Sequence, residues 1–238
     1  PTCKKRFDSI NVECTEENRN KYRNMLFTAD GIENFISGVI LFDETLRQST
    51  MEGSEPFPDH LTKLGILPGI KVDKGAKQLA NTENEKITDG LDGLRDRLKE
   101  YYELGARFAK WRAVITIGEN MPTSYCISTN AHALARYAAL CQEQGLVPIV
   151  EPEILMDGTH TIDESYQLTT ETLYNVFYEL VSQGVELEGI VLKPNMVLSG
   201  YDCSDQASVE QVAEMTVDCF LNTVPAVVPG VAFLSGGQ

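Results

Sequence analysis

The chain has 238 residues, of which 42% are hydrophobic and 23% charged, a composition typical of a globular protein with a sizeable core. Its 35 acidic and 20 basic residues give a net charge of −15, which argues against binding nucleic acid through a broad basic face. The uncharged runs are too short to cross a membrane. We therefore expect no membrane partner, and the acidic net charge leads us to expect no nucleic-acid partner.

Six short apolar segments are predicted to form β-strands, because turn-forming residues separate them from one another. In chain order they are residues 38–42, 69–72, 108–115, 147–151, 189–193 and 231–234. Helical periodicity fills most of the intervals between them. The predicted helices are a short one at 58–64 and longer ones at 89–105, 123–144, 162–183 and 204–222.

Strands that alternate with helices indicate a parallel sheet covered by helices, and two α/β folds satisfy this pattern. An open doubly wound sheet usually carries a glycine-rich turn between a strand and a helix. The sequence has neither G-x-G-x-x-G nor G-x-x-x-x-G-K-[ST]. A barrel instead places charged residues at the carboxyl ends of many strands, and the sequence favours this fold.

Charged side chains occur at or near the ends of four predicted strands. They are Lys71, then Lys110 and Arg112, then Glu151 and Glu153, and finally Lys193. Side chains alternate along a strand with period two, so Lys110 and Arg112 share one face of their strand. For the same reason the two glutamates share one face at the end of the next predicted strand. A buried ion-pair network with no catalytic task would explain one such charge. Four strand ends in register predict one shared polar site.

The types of residue in this set point to amine chemistry. A lysine held against apolar residues beside a second cation, as Lys193 and Lys110 would be, can attack a carbonyl. Formation and dehydration of the carbinolamine require proton transfer, which Glu151 could supply. The resulting iminium withdraws electrons from a neighbouring carbon–carbon bond. The set therefore predicts a Schiff-base aldolase.

A Ser-Gly-Gly turn at 235–237 follows the last predicted strand. Its backbone N–H groups could approach an anion closely, and barrels often bind phosphate in the loops after their late strands. On its own, this short motif is better explained as a flexible turn without a ligand. Together with Arg112 and Lys71, the turn favours a phosphorylated sugar as substrate.

The histidines and cysteines do not form a metal-binding motif. His60, His132 and His160 lack the H-E-x-x-H and H-x-H spacings, and the six cysteines lie far apart without a C-x-x-C pair. We therefore expect neither a metal ion nor another cofactor.

Seven stretches spread from end to end combine candidate site residues with their flanks. They are TEENR (15–19), GVILFDETL (38–46), GIKVDKG (69–75), FAKWRAVI (108–115), ARYAALCQEQGLVPIVEPEIL (135–155), LEGIVLKPNMV (187–197) and FLSGGQ (233–238). In these stretches the chain closely resembles the class I fructose-1,6-bisphosphate aldolases of animals and plants. The resemblance implies a TIM (β/α)8 barrel and a metal-independent lyase of glycolysis and gluconeogenesis. Such an enzyme reversibly cleaves fructose 1,6-bisphosphate to dihydroxyacetone phosphate and glyceraldehyde 3-phosphate.

The resemblance assigns a role to each candidate residue. Lys193 would form the Schiff base, with Glu151 as the main acid and base and Glu153 as a supporting carboxylate. Lys110 would assist carbinolamine turnover, and Arg112 would contact the substrate. Further phosphate-binding roles fall to Ser235 and Gly236 beside the ketone carbon, and to Lys71 and Arg6 at the other phosphate.

The resemblance also places the chain within a longer family pattern. The six predicted strands correspond to strands two to seven of an eight-stranded barrel. The family's first strand bears an aspartate central to bond cleavage, and its eighth bears a phosphate-binding arginine and leads to a tail ending in tyrosine. We therefore expect residues 1–238 to be a single aldolase barrel domain that is incomplete at both ends. Its open edges predict that it neither folds stably nor cleaves substrate alone.

For the full-length protein, the resemblance implies phosphorylated ketose and triose substrates, a homotetramer and a cytoplasmic location, with a plastid form also possible. Fructose 1-phosphate remains an alternative substrate. Another Schiff-base enzyme, such as a transaldolase or a deoxyribose-phosphate aldolase, would share the lysine chemistry. A metal-dependent aldolase would need histidine ligands. A non-catalytic barrel that binds protein partners is the alternative from a different class.

Overall fold

The computed structural model describes residues 2–233, which fall into two compact units. The first unit comprises the residues up to Lys71 together with Glu100–Phe108. The second comprises Val72–Lys99 and the residues from Ala109 onward. The candidate lysines and glutamates at the ends of the third to fifth predicted strands all belong to the second unit.

The first unit contains a pair of parallel strands and several helices. Its elements are α1 (Thr2–Ser9), α2 (Glu16–Phe27), a 3-10 turn (Ile32–Asn34), β1 (Gly38–Leu41), α3 (Asp43–Leu46), α4 (Phe57–Lys63) and β2 (Leu67–Lys71). β1 and β2 are paired so that Gly38 lies opposite Leu67. The predicted strands and the short helix at 58–64 are confirmed. No predicted element covers α2, although the Thr15 side chain caps it by accepting a hydrogen bond from the Asn18 N–H.

The elements from Val72 onward begin with a small antiparallel hairpin. They are β3 (Ala76–Gln78), β4 (Lys86–Thr88), α5 (Leu94–Glu103), β5 (Phe108–Ile115), α6 (Ser124–Glu143), β6 (Val147–Ile154), α7 (Ile162–Ser182), a 3-10 turn (Leu187–Gly189), β7 (Val191–Leu192) and α8 (Val209–Thr223). β6 lies between β5 and β7 and pairs with β7 in parallel, with Ile149 opposite Val191. The predicted alternation of parallel strands with helices is therefore confirmed.

Helix starts follow the capping residues in the sequence. Thr123 and Thr161 cap α6 and α7, which lie within one residue of their predicted bounds at both ends. The prediction that the last helix starts at residue 204 was wrong, because Ser208 is its cap. The predicted start of α5 at residue 89 was also wrong. Gly90 and Gly93 have φ angles of 132° and 64°, which a right-handed helix does not allow.

The strand ends also required correction. β6 continues past the predicted end at residue 151 to Ile154. The fifth predicted strand was too long at its start, because residues 187–189 form a 3-10 turn and β7 begins at Val191. The sixth predicted strand is represented by a single bridge between Val231 and Leu192, and its last residue, 234, lies outside the described part of the chain. No helix within residues 2–233 is long and apolar enough to cross a membrane.

The core of the second unit supports β5 from one side. The Trp111 ring is fully buried and stacks on Tyr137, with 5.5 Å between the ring centroids. The Tyr137 hydroxyl donates a hydrogen bond to the Ile149 carbonyl of β6 at 3.2 Å. Burial of this ring raises the pKa of Tyr137 well above its usual value. One buried aromatic pair thus contacts both β5 and β6, two of the strands that position candidate site residues.

A close backbone approach lies beyond β6 and β7. The Gly200 N–H donates to the His160 carbonyl at 2.8 Å, and a Cβ added at Gly200 would lie 2.2 Å from the Gly158 carbonyl oxygen. We therefore expect Gly200→Ala to lower the free energy of unfolding by about 1–3 kcal/mol. Urea denaturation of the complete protein that contains this chain, followed by tryptophan fluorescence, would measure the change. Gly230→Ala is the matched control, because among the described residues no heavy atom other than those of its chain neighbours lies within 4 Å of the added Cβ. Equal stability of the two variants would contradict the steric argument.

Candidate active site

β5 presents two charged side chains on one face. Ala109, Trp111 and Ala113 are fully buried, whereas Lys110 and Arg112 point to the opposite face and are half-buried. The predicted alternation along this strand is confirmed. The buried face anchors the strand in the core, so the positions of the two cations are set by the strand itself.

β6 contributes two carboxylates, Glu151 at the predicted end of the strand and Glu153 from the part that extends beyond it. Glu151 and Glu153 are exposed by only 1% and 4%. The two glutamates are separated by one residue, Pro152. Side chains two residues apart on a strand point to the same face, so both carboxylates lie on one face of β6. A carboxylate this deeply buried requires a charged or hydrogen-bonding partner, and each of the two has one.

Lys193 stands directly after the short strand β7. Its backbone N–H continues the ladder by donating to the Val150 carbonyl at 2.8 Å. Pro194 has no N–H and cannot extend the pairing. The prediction that Lys193 lies where an apolar strand ends is confirmed.

The central feature of the site is one buried carboxylate shared by two lysines. Glu151 Oε1 accepts a hydrogen bond from Lys193 Nζ at 2.6 Å, and Oε2 lies 2.7 Å from Lys110 Nζ. The lysine side chains are 14% and 17% exposed, so both are largely buried together with the carboxylate that they contact. With all three groups ionised, the trio has one excess positive charge, which would attract an anionic substrate.

Arg112 forms a second ion pair beside this trio. Its Nε donates to Glu153 Oε2, and this hydrogen bond raises the pKa of the guanidinium above its usual value. The carboxylate is buried, but the Arg112 side chain remains 40% exposed. The guanidinium is therefore oriented by Glu153 and still has N–H groups available for a ligand.

Four of the predicted phosphate-binding residues lie either in the first unit or outside the described residues. Arg6 and Lys71 belong to the first unit, where the Arg6 guanidinium donates to the Tyr22 hydroxyl at 3.1 Å. Ser235 and Gly236 lie outside the described residues. Their predicted roles in phosphate binding remain predictions.

The three histidines have different surroundings. His60 contacts the Glu55 carboxylate at 3.2 Å, and His132 contacts that of Glu179 at 3.0 Å. His160 is buried, and its burial lowers the pKa of the imidazole. Within residues 2–233, no cluster of three or more histidine, cysteine, aspartate or glutamate side chains could hold a metal ion.

One polar residue beside the site, Asn195, is absent from the set of predicted site residues. It is 7% exposed, and its side chain accepts a hydrogen bond from the Ile154 N–H at the end of β6. The available signal was its position, two residues after Lys193 and immediately after a proline that interrupts the ladder.

These features define a parallel α/β protein with a buried lysine–carboxylate cluster whose composition fits covalent amine catalysis. The family model for class-I fructose-bisphosphate aldolase matches residues 1–238, and the chain belongs to this family. The family comprises the Schiff-base aldolases of glycolysis, which are carbon–carbon lyases. The prediction of this enzyme class is therefore confirmed, and nothing in the comparisons favours a non-catalytic scaffold.

The relatives support this assignment across the whole chain. A probable fructose-bisphosphate aldolase class 1 of Xanthomonas axonopodis pv. citri is 60% identical over 237 residues, which cover 100% of this chain and 71% of the relative. The cytosolic fructose-bisphosphate aldolase 4 of Arabidopsis thaliana is 54% identical over 237 residues, covering 100% of this chain and 60% of that protein.

A solved structure provides the same comparison at the level of the fold. It is the fructose-bisphosphate aldolase of Plasmodium falciparum in a ternary complex with TRAP and a small-molecule inhibitor. The TM-score is 0.96 at 51% identity, and the match covers 100% of this chain and 69% of the other. The predicted TIM-barrel fold class is confirmed by this likeness.

Proposed function

We propose that Lys193 is the nucleophile of a class I aldolase that acts on fructose 1,6-bisphosphate. The observation that carries the proposal is the placement of the Glu151 carboxylate 2.6 Å from Lys193 Nζ and 2.7 Å from Lys110 Nζ. A buried carboxylate in contact with an amine at a strand end can both orient the amine and exchange protons with it.

The arrangement supports a defined order of steps. The Glu151 carboxylate takes a proton from the Lys193 ammonium. The neutral amine then attacks the C2 carbonyl carbon of the ketose and forms a carbinolamine, with the amine proton passing to the carbonyl oxygen. Glu151 donates a proton to the departing hydroxyl, which leaves as water and gives the iminium. A base removes the proton of the C4 hydroxyl while the iminium takes up the electron pair of the C3–C4 bond, so glyceraldehyde 3-phosphate leaves as an aldehyde and an enamine remains on Lys193. Protonation and hydrolysis of this enamine release dihydroxyacetone phosphate and restore the amine.

The neighbouring cations have supporting roles in this proposal. Lys110 shares the Glu151 carboxylate and balances its charge during carbinolamine turnover. Arg112, oriented by Glu153, contacts the substrate through its exposed N–H groups. Ser235 and Gly236 bind the phosphate next to the ketone carbon, and Lys71 and Arg6 bind the other. These last assignments rest on the family resemblance.

We further propose that the complete enzyme is a cytoplasmic homotetramer. The support for the location is the cytosolic relative from Arabidopsis, and the support for the assembly is the family resemblance. Phosphorylated ketoses and trioses are its substrates.

Borohydride trapping tests the nucleophile directly. The complete protein that contains this chain is incubated with dihydroxyacetone phosphate, reduced with sodium borohydride, digested and analysed by mass spectrometry. The expected result is one stoichiometric adduct on the peptide that contains Lys193, in the presence or absence of a chelator. An adduct on another lysine would refute the assignment of the nucleophile, and turnover abolished by the chelator would refute the metal-independent mechanism.

A further inference from the structure

The strand ends that bear Glu151 and Lys193 are joined by a side chain where the backbone ladder stops. β7 ends at Leu192, and Pro194 provides no N–H for further pairing. β6 nevertheless continues to Ile154. The Ile154 N–H donates at 3.2 Å to Asn195 Oδ1, so a side-chain amide accepts the bond that a longer β7 would have accepted from this strand.

The other end of the Asn195 amide is also fixed. Its Nδ2 donates to the Thr169 hydroxyl at 3.0 Å and to the Met196 carbonyl at 3.0 Å. Thr169 lies on α7 and is 1% exposed, so these bonds form inside the protein, where an unpaired amide would be costly. The three hydrogen bonds set the orientation of the amide, and α7 thereby holds it against the end of β6.

We propose that Asn195 is a positioning residue for the reaction, oriented by Thr169, and that it holds Glu151 and Lys193 at reacting distance. The inference rests on the proposed function and deepens it. Asn195 is two residues beyond the nucleophile, and its partner Ile154 is three residues beyond the proton donor. Because Glu153 is adjacent to Ile154, the same bond also restrains the carboxylate that orients Arg112.

Asn195 affects the distance between the reacting groups and not only the stability of the fold. Lys193 Nζ and Glu151 Oε1 are 2.6 Å apart, a distance that depends on the separation of the two strand ends. Beyond Lys193, the Asn195 amide links the exit of β7 to the end of β6. A displacement of about 1 Å at a catalytic group can cost roughly 100-fold in rate, even when the substrate still binds.

The test is Asn195→Ala in the complete protein that contains this chain. We expect kcat and the rate of borohydride-trapped adduct formation to fall together by about 10- to 100-fold, while KM changes by less than about threefold. Thr169→Val replaces the hydroxyl that accepts the hydrogen bond from Asn195 Nδ2 with a methyl group. A smaller loss in kcat, of about three- to tenfold, is expected. Thr172→Val is the matched control, because this buried α7 hydroxyl has no hydrogen-bond partner among the described residues, and kcat should not change.

Each outcome separates this inference from the proposed function. Wild-type kcat in folded Asn195→Ala would overturn it, as would a loss that merely follows the folded fraction in circular dichroism. If Asn195→Ala does not fold, Thr169→Val decides, and wild-type kcat in that variant would overturn the inference. Absence of the Lys193 adduct in the unmodified protein would instead refute the proposed function.

Discussion

Replacing Lys193 with methionine in the complete protein is expected to lower kcat by at least about 10⁴-fold, because the proposed covalent route is lost with its proposed nucleophile. Methionine retains the unbranched chain beside the apolar strand, so the variant should fold. The Glu151 carboxylate keeps Lys110 as its ion-pair partner at 2.7 Å. Steady-state cleavage of fructose 1,6-bisphosphate measures the loss, and borohydride with dihydroxyacetone phosphate should yield no adduct.

Two further variants separate nucleophilicity from charge. Lys193→Arg keeps a positive charge beside Glu151 but cannot form a Schiff base, so it should be as inactive as the methionine variant. Lys99→Met removes an exposed lysine from α5 and should leave kcat unchanged. Activity above about one-hundredth of wild type in Lys193→Arg would contradict a covalent role for this residue.

The strand-end charges could be predicted from the sequence because they depend on local periodicity. FAKWRAVI alternates between apolar and charged residues, and Ala109, Trp111, Lys110 and Arg112 lie on the faces that period two assigns. Lys193 could be placed at a strand end because a proline follows three apolar residues. These inferences needed no knowledge of which strands are neighbours.

The contacts that complete the site could not be read in the same way. The two glutamates have equivalent positions in VEPEI, yet Glu151 pairs with two lysines and Glu153 pairs with Arg112. That distinction depends on which strands flank β6. Asn195 was also missed, because its partners Ile154 and Thr169 are 41 and 26 residues away in the sequence. Such bonds are set by the packing of α7 and β6, which residue patterns do not encode locally.

Local turn chemistry caused most of the errors in element bounds. Glycines with left-handed φ angles delay the start of α5, and Ser208 sets the start of α8 at a cap that the apolar pattern alone does not reveal. The hairpin of β3 and β4 was missed because each strand has only three residues. None of these errors affected the candidate site, which depends on β5, β6 and β7.

Glu151→Gln in the complete protein is expected to have two separate effects. Glutamine has nearly the same shape but cannot act as the acid and base, so kcat should fall by about 10²- to 10⁴-fold. It also leaves the ammonium groups of Lys110 and Lys193 facing each other without their shared counter-charge. Because both lysines are less than one-fifth exposed, the free energy of unfolding should fall by about 2 kcal/mol.

The two effects are measured by different experiments on the same protein. Steady-state kinetics gives the change in kcat, and urea denaturation followed by far-ultraviolet circular dichroism gives the change in stability. Glu143→Gln is the matched control, because the Glu143 carboxylate pairs with Arg95 at the surface. This substitution should leave kcat unchanged and alter the free energy of unfolding very little. A Glu151→Gln variant with reduced stability but wild-type kcat would assign this carboxylate to charge balance alone. A loss of kcat with unchanged stability would show instead that other groups or solvent balance the charges of the two ammonium groups. Proton transfer would then be the main role of Glu151.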